Sequence, residues 1–329
     1  MNAMQPSPAR FGIVIAAIWI LGSIAGYLYS QQQNIPIALA FAVLPAILVE
    51  LSLYAATGFA PFRDRLRAMT PPRAVMLLAG SAALPYAMYT IGTGQFRMMA
   101  CAAIIALAAV VSAWYVVLPK NRFADLGFLA LIAAAVLTPI FQMIYERPAP
   151  RLRLEFLGQL MFIRLTVLSV LLFRQADGID FGFWPRKHDW RIGVVQYLWF
   201  VPLGFGMGLL TGFIDFTPKR FGPGETLALA IGTFFGILWV VALCEEFWFR
   251  GLLQQWLGRW LSSDTASLLF TSILFGLVHL PFRDFPNWRF AALAAIAGLF
   301  YGRAYQQAKG IRAPMVTHAL VVTTWRVFF

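Results

Sequence analysis

The sequence predicts an all-α, polytopic membrane protein, a bundle of about 10–11 transmembrane helices. Two observations carry this. The chain is 60% hydrophobic and only 12% charged, whereas soluble chains carry about 25% charged residues. Its apolar runs are close to the length that crosses a bilayer and are joined by short polar stretches. A third observation points to function: ionisable residues sit inside one of those runs, at 242–250.

The net charge of +12 comes from 26 Lys and Arg spread among short joints. That distribution fits topology determinants and contacts to membrane lipids, and it argues against a nucleic-acid partner. Cys101 and Cys244 both lie in apolar runs and belong to no metal or disulfide spacing. A thiol in such surroundings is inert, so Cys244 is read as structural although it precedes Glu245.

In the N-terminal region, residues 1–150, spans are expected at 11–29, 36–57, 74–93, 98–118 and 124–144. Pro45, Pro85 and Pro139 should kink three of them. Arg63, Arg65, Arg67 and Arg73 fill the second joint and Lys120 and Arg122 the fourth. The first joint carries no charge and the third only Arg97, which predicts a cytoplasmic N-terminus. Glu50 reads as a bundle-facing or membrane-edge group. The region's role is not encoded in any motif.

The Pro- and Arg-rich stretch at 146–153 marks the expected boundary with a second region, 151–329, whose core is about 190–329. A span at 156–173 holds Arg164, buried or snorkelling. Residues 174–190 mix aromatic and basic side chains and suit the membrane interface, with His188 exposed there. Spans follow at 192–214, 224–259, 265–280, 288–305 and 312–329. The helix at 224–259 would be about 54 Å long, more than the ~30 Å hydrocarbon core, so it must tilt, break or leave the membrane. Ser262-Ser263-Asp264 turns the chain and supplies an N-cap.

That long helix contains Cys244-Glu245-Glu246-Phe247-Trp248-Phe249-Arg250. A charge in hydrocarbon costs about 2.5–3.5 kcal/mol by insertion scales, so such groups mark function. Glu246 and Arg250, four apart, can pair on one helical face. Glu245 points about 100° away and has no partner in its own stretch. Glu245 and His279 lie equally far from the turn at 262, on opposite arms of a helical hairpin, and meet at one depth. The next hairpin brings His318 back into the membrane. A carboxylate with a histidine can hold and deprotonate a water. A second histidine can stabilise the oxyanion formed by attack on a carbonyl. One Glu and two His also suit zinc, although no His-Glu-x-x-His occurs.

Glu245-Glu246-x-x-x-Arg250, Phe275-x-x-x-His279 and His318-Ala319 resemble the three motifs of the CPBP family. These are the type II CAAX prenyl endopeptidases and their relatives, glutamic intramembrane proteases. The resemblance covers about 190–329 and not the first five spans. It implies an intramembrane endopeptidase with Glu245 as general base, His279 holding the water and His318 contributing to an oxyanion hole. It also implies that Glu246, Arg250 and Phe275 shape the site, that no metal cofactor is used, and that the protein sits in a bacterial inner membrane. The implied substrate is a prenylated or otherwise hydrophobic C-terminal peptide, or a precursor that is matured or sorted.

One position departs from the family pattern. Four residues after the last histidine the family carries Asn or Asp, and here Val322 stands. A second reading is therefore kept, a catalytically weak or inactive module that binds lipidated or apolar peptides as an immunity or partner-binding factor. A transporter with a Glu/His relay is a third, disfavoured because nothing suggests an inverted repeat.

Overall fold

The computed structural model describes residues 8–217, 222–282 and 285–329. Parts of the joints at 215–222 and 281–287 thus lie outside the described residues. All regular structure among the described residues is helical, apart from an isolated bridge between Ala149 and Leu152. The chain forms two compact units, Met1–Ala176 and Asp177–Phe329. Among the described residues, seven helices are long and apolar enough to cross a membrane, so the protein is an integral, multi-pass membrane protein.

The first unit contains α1 (Pro8–Gln32), α2 (Ile37–Ala56), α3 (Ala60–Arg67), α4 (Pro71–Thr93), α5 (Met98–Val117), α6 (Arg122–Leu137), α7 (Ile140–Ile144) and α8 (Glu155–Arg174). Helices α2 and α4 run on through Pro45 and Pro85, while Pro139 separates α6 from α7. Because Pro lacks an N–H and clashes with the preceding turn, the expected fifth span is split into two short helices. The Arg-rich second joint is itself helical, as α3.

Helix α8 belongs to this unit, although 150/151 was the expected boundary. The physical reason is Arg164. Its Nε donates to Glu50 Oε1 at 2.7 Å and its Nη1 to Ser81 Oγ at 2.9 Å, joining α8 to α2 and α4. Glu50 and Arg164 are 0% and 2% exposed, so Glu50 faces the bundle and Arg164 does not snorkel. Removing one partner of a buried ion pair strands the other charge, at a cost of about 3–5 kcal/mol. Arg164→Leu is therefore expected to lower the unfolding temperature sharply, and an unchanged thermal melt would contradict the pairing.

The second unit contains α9 (Lys187–Leu210), α10 (Pro223–Leu261), α11 (Asp264–Leu277), α12 (Trp288–Ala308) and α13 (Arg312–Phe328). His188 is exposed in the first turn of α9. Helix α11 has 14 residues, short of a full span, and α13 has 17, at its lower limit. Helix α12 has 21 residues but carries Arg289 and Arg303. These, with the split α6/α7, are the segments by which the expected 10–11 spans exceed the seven.

The 39-residue α10 does not break. It widens into π-helical turns at Ile237–Ala242 and Phe247–Gln254, on either side of an α-helical turn, Leu243–Glu246. Such insertions shift the register of a helix face and concentrate at functional sites. Ser262 ends the helix in the left-handed region (φ 50°), and the Ser263 hydroxyl caps α11 by accepting from the Ala266 N–H at 3.2 Å. Helices α11 and α12 approach closely because Gly276 and Gly298 lack a Cβ. One built on Gly276 would collide with the Ala291 carbonyl, and one on Gly298 would lie 3.0 Å from Ser272 Cα.

Candidate active site

The α-helical turn between the two π-helical stretches carries Glu245 and Glu246. The Arg250 guanidinium lies one turn on, and both it and Glu246 are fully buried, with Arg250 Nε 3.2 Å from Glu246 Oε2. Arg250 Nη2 also donates to the Gly298 carbonyl of α12 at 3.1 Å. The guanidinium further lies 4.4 Å over the Phe275 ring and 5.3 Å over that of Tyr301. A buried charge is tolerable only when paired in this way.

Glu246 in turn holds His318, which α13 brings in. His318 Nδ1 lies 2.8 Å from Glu246 Oε1. A carboxylate paired with arginine accepts and does not donate, so Nδ1 carries the hydrogen. The tautomer is thereby fixed, and Nε2 is presented elsewhere. It points toward Glu245, 3.9 Å from Oε2. Tyr301 stacks on the imidazole at 4.7 Å and 13°, while Phe275 meets it edge-on at 6.1 Å.

Glu245 is different from Glu246. Its Oε2 is sealed without a hydrogen-bond partner, yet the side chain is 27% exposed. Glu246 Oε2 also lacks a hydrogen bond but lies 3.2 Å from Arg250 Nε, whereas Glu245 Oε2 has only His318 beside it. Cys244 is buried behind it and free.

His279 lies just past the C-terminus of α11. Its Nδ1 is 2.6 Å from the Phe275 carbonyl, an obligate acceptor, so Nδ1–H donates and Nε2 keeps a lone pair. The ring packs against Phe275 and Phe290 at 4.8 and 5.1 Å.

His279 and His318 share the wall of a cavity of about 90 Å³. Most of the rest is apolar, including Phe200, Phe205, Phe213, Phe290 and Val322. Val322 thus faces the same space as His318, one helical turn on. Among the described residues Glu245 is not in the lining of this cavity; it lies beside His318, which is. Glu245 thus lies beside His318, and His318 and His279 both line the cavity with Phe275 against each.

Phe275 touches Arg250, His279 and His318 at once. Two further residues, Tyr301 and Gly298, escaped the sequence reading. The signal for them was Gly298-x-x-Tyr301-Gly302, a small-residue face that lets a neighbouring helix come close. Among the described residues, no group of three His, Cys, Asp or Glu is arranged to hold a metal ion.

Comparison with known proteins agrees with the motif resemblance. Residues 227–324 match the family described as type II CAAX prenyl endopeptidase Rce1-like. The match runs from within α10, ahead of Glu245, to α13, beyond His318, and covers less than a third of the chain. Neither the search of curated proteins nor that of solved structures gave a match.

Proposed function

We propose that this protein is a membrane-embedded endopeptidase that hydrolyses a peptide bond by glutamate-activated water, without a covalent intermediate. The observation that carries the reading is His318, fixed by Glu246 at Nδ1 and turned at Nε2 toward the unpartnered Glu245.

Glu245 is the general base. It takes a proton from water as the water oxygen bonds to the scissile carbonyl carbon. His279 Nε2 accepts from the water's other hydrogen and orients it. The C=O electron pair moves onto oxygen. On collapse the C–N bond breaks, and the proton held by Glu245 passes to the leaving nitrogen. Arg250 and Glu246 do not touch the substrate in this scheme. They position His318, which Glu246 holds at Nδ1 so that Nε2 stands beside Glu245. The reaction as proposed uses no metal.

The apolar cavity wall supports a hydrophobic or lipidated peptide as substrate, presented by a precursor in or at the membrane. On this reading the protein works in a bacterial inner membrane with a cytoplasmic N-terminus, which the Lys and Arg of alternate joints support.

Val322 favours one competing reading, a slow or inactive peptide-binding module. Val322→Asn tests it. The substitution places an amide on the cavity wall one turn from His318, and one oxyanion donor is worth about 10²–10³ in rate. Under the peptidase reading kcat rises in Val322→Asn; turnover undetectable in both wild type and variant, with peptide still bound, would favour the module.

A further inference from the structure

The oxyanion of the proposed reaction needs a donor, and the cavity wall allows an inventory of them. The wall carries four side chains with an O–H or N–H: His279, Tyr301, His318 and Trp325. His279 spends its Nδ1–H on the Phe275 carbonyl, which leaves Nε2 an acceptor. His318 spends its Nδ1–H on Glu246 and turns Nε2 toward Glu245. The Trp325 indole is wedged among Phe213, Phe282 and Phe290, with its ring 5.4 Å from that of Phe290. Val322 offers nothing.

Tyr301 is the exception. The residue is 2% exposed and its ring is held on both sides, stacked on His318 and lying under Arg250. Its hydroxyl makes no hydrogen bond within the described residues, yet it is not among the sealed polar atoms. Tyr301 lines the cavity, which makes that space the candidate opening for its unbonded hydroxyl. An immobilised O–H donor facing a water-poor space is what oxyanion stabilisation requires, because it costs no reorganisation as charge develops.

We infer that Tyr301 is a catalytic residue of this protein, its hydroxyl donating a hydrogen bond to the carbonyl oxygen as that oxygen becomes an anion. The role rests on the peptidase reading and deepens it. Tyr301 takes the duty that Val322 cannot perform. No proton leaves Tyr301; the hydrogen bond strengthens on attack and relaxes when the C–N bond breaks.

Tyr301→Phe removes the hydroxyl and keeps the ring that stacks on His318 and Arg250. Steady-state cleavage of an apolar peptide by the full-length protein in nanodiscs is compared among wild type, Tyr301→Phe and Glu245→Gln, with thermal melts of each. The expected result is a loss of about 10²–10³ in kcat for Tyr301→Phe, with KM and melting temperature near those of wild type. Tyr301→Phe should also bind a peptidyl phosphinate, which mimics the tetrahedral anion, more weakly by a similar factor, with unchanged affinity for the uncleaved peptide. Wild-type kcat in Tyr301→Phe, with Glu245→Gln inactive, would overturn the inference and leave the peptidase reading standing. Turnover unaffected by Glu245→Gln would overturn both.

Discussion

Replacing Glu245 with Gln is expected to lower kcat by about 10²–10⁴, the range that a positioned acid–base group contributes. The change keeps the size and shape of the side chain and removes its ability to take a proton. Glu245 is not part of the buried ion pair, and its Oε2 makes no hydrogen bond that folding depends on. The melting temperature should therefore remain near that of wild type. Measured peptide turnover that survives in Glu245→Gln would remove Glu245 as the base. A loss of activity accompanied by a large loss of stability would point to a structural role.

Arg250→Ala is expected to fail in both respects. Glu246 is fully buried, and among the described residues Arg250 and the His318 ring are the groups within ion-pair distance of it. Truncation leaves a carboxylate in an apolar bundle, at a cost of about 3–5 kcal/mol. It also frees the Gly298 carbonyl and empties the space over Phe275 and Tyr301. His318 then loses a fixed acceptor and its orientation. The two effects separate in the double variant Glu246→Leu/Arg250→Met, which removes both charges at similar volume. That variant should recover stability and remain inactive, because nothing then anchors His318 Nδ1. An Arg250→Ala protein that melts like wild type would show that the pair does not stabilise the bundle.

Much of this site was legible in the sequence because its logic is local. Glu246 and Arg250 are one helical turn apart, so their pairing followed from spacing alone. The absence of a local partner for Glu245 was equally readable, as was the arrival of His318 from the next hairpin. The missing parts depend on long-range geometry. Glu50 and Arg164 are 114 residues apart, and no periodicity joins them. Their contact is why α8 packs with the first unit. The π-helical turns flanking Glu245 and Glu246 carry no compositional mark, yet they set which faces of α10 meet α12 and α13. Equal distance from a turn put Glu245 and His279 at one depth; depth does not fix azimuth, and Glu245 lies beside His318 instead. Tyr301 looked like one apolar-helix aromatic among many. Only the stacking on His318 and the inventory of donors around the cavity distinguish it.

The most direct test of the central claim is cleavage by the purified full-length protein in nanodiscs of a pool of prenylated and hydrophobic-tailed peptides, read by mass spectrometry with and without a chelator. The account predicts new peptide termini that form with wild type, persist in the chelator and vanish in Glu245→Gln. Cleavage abolished by the chelator and restored by added zinc would contradict it, as would product formed equally by Glu245→Gln.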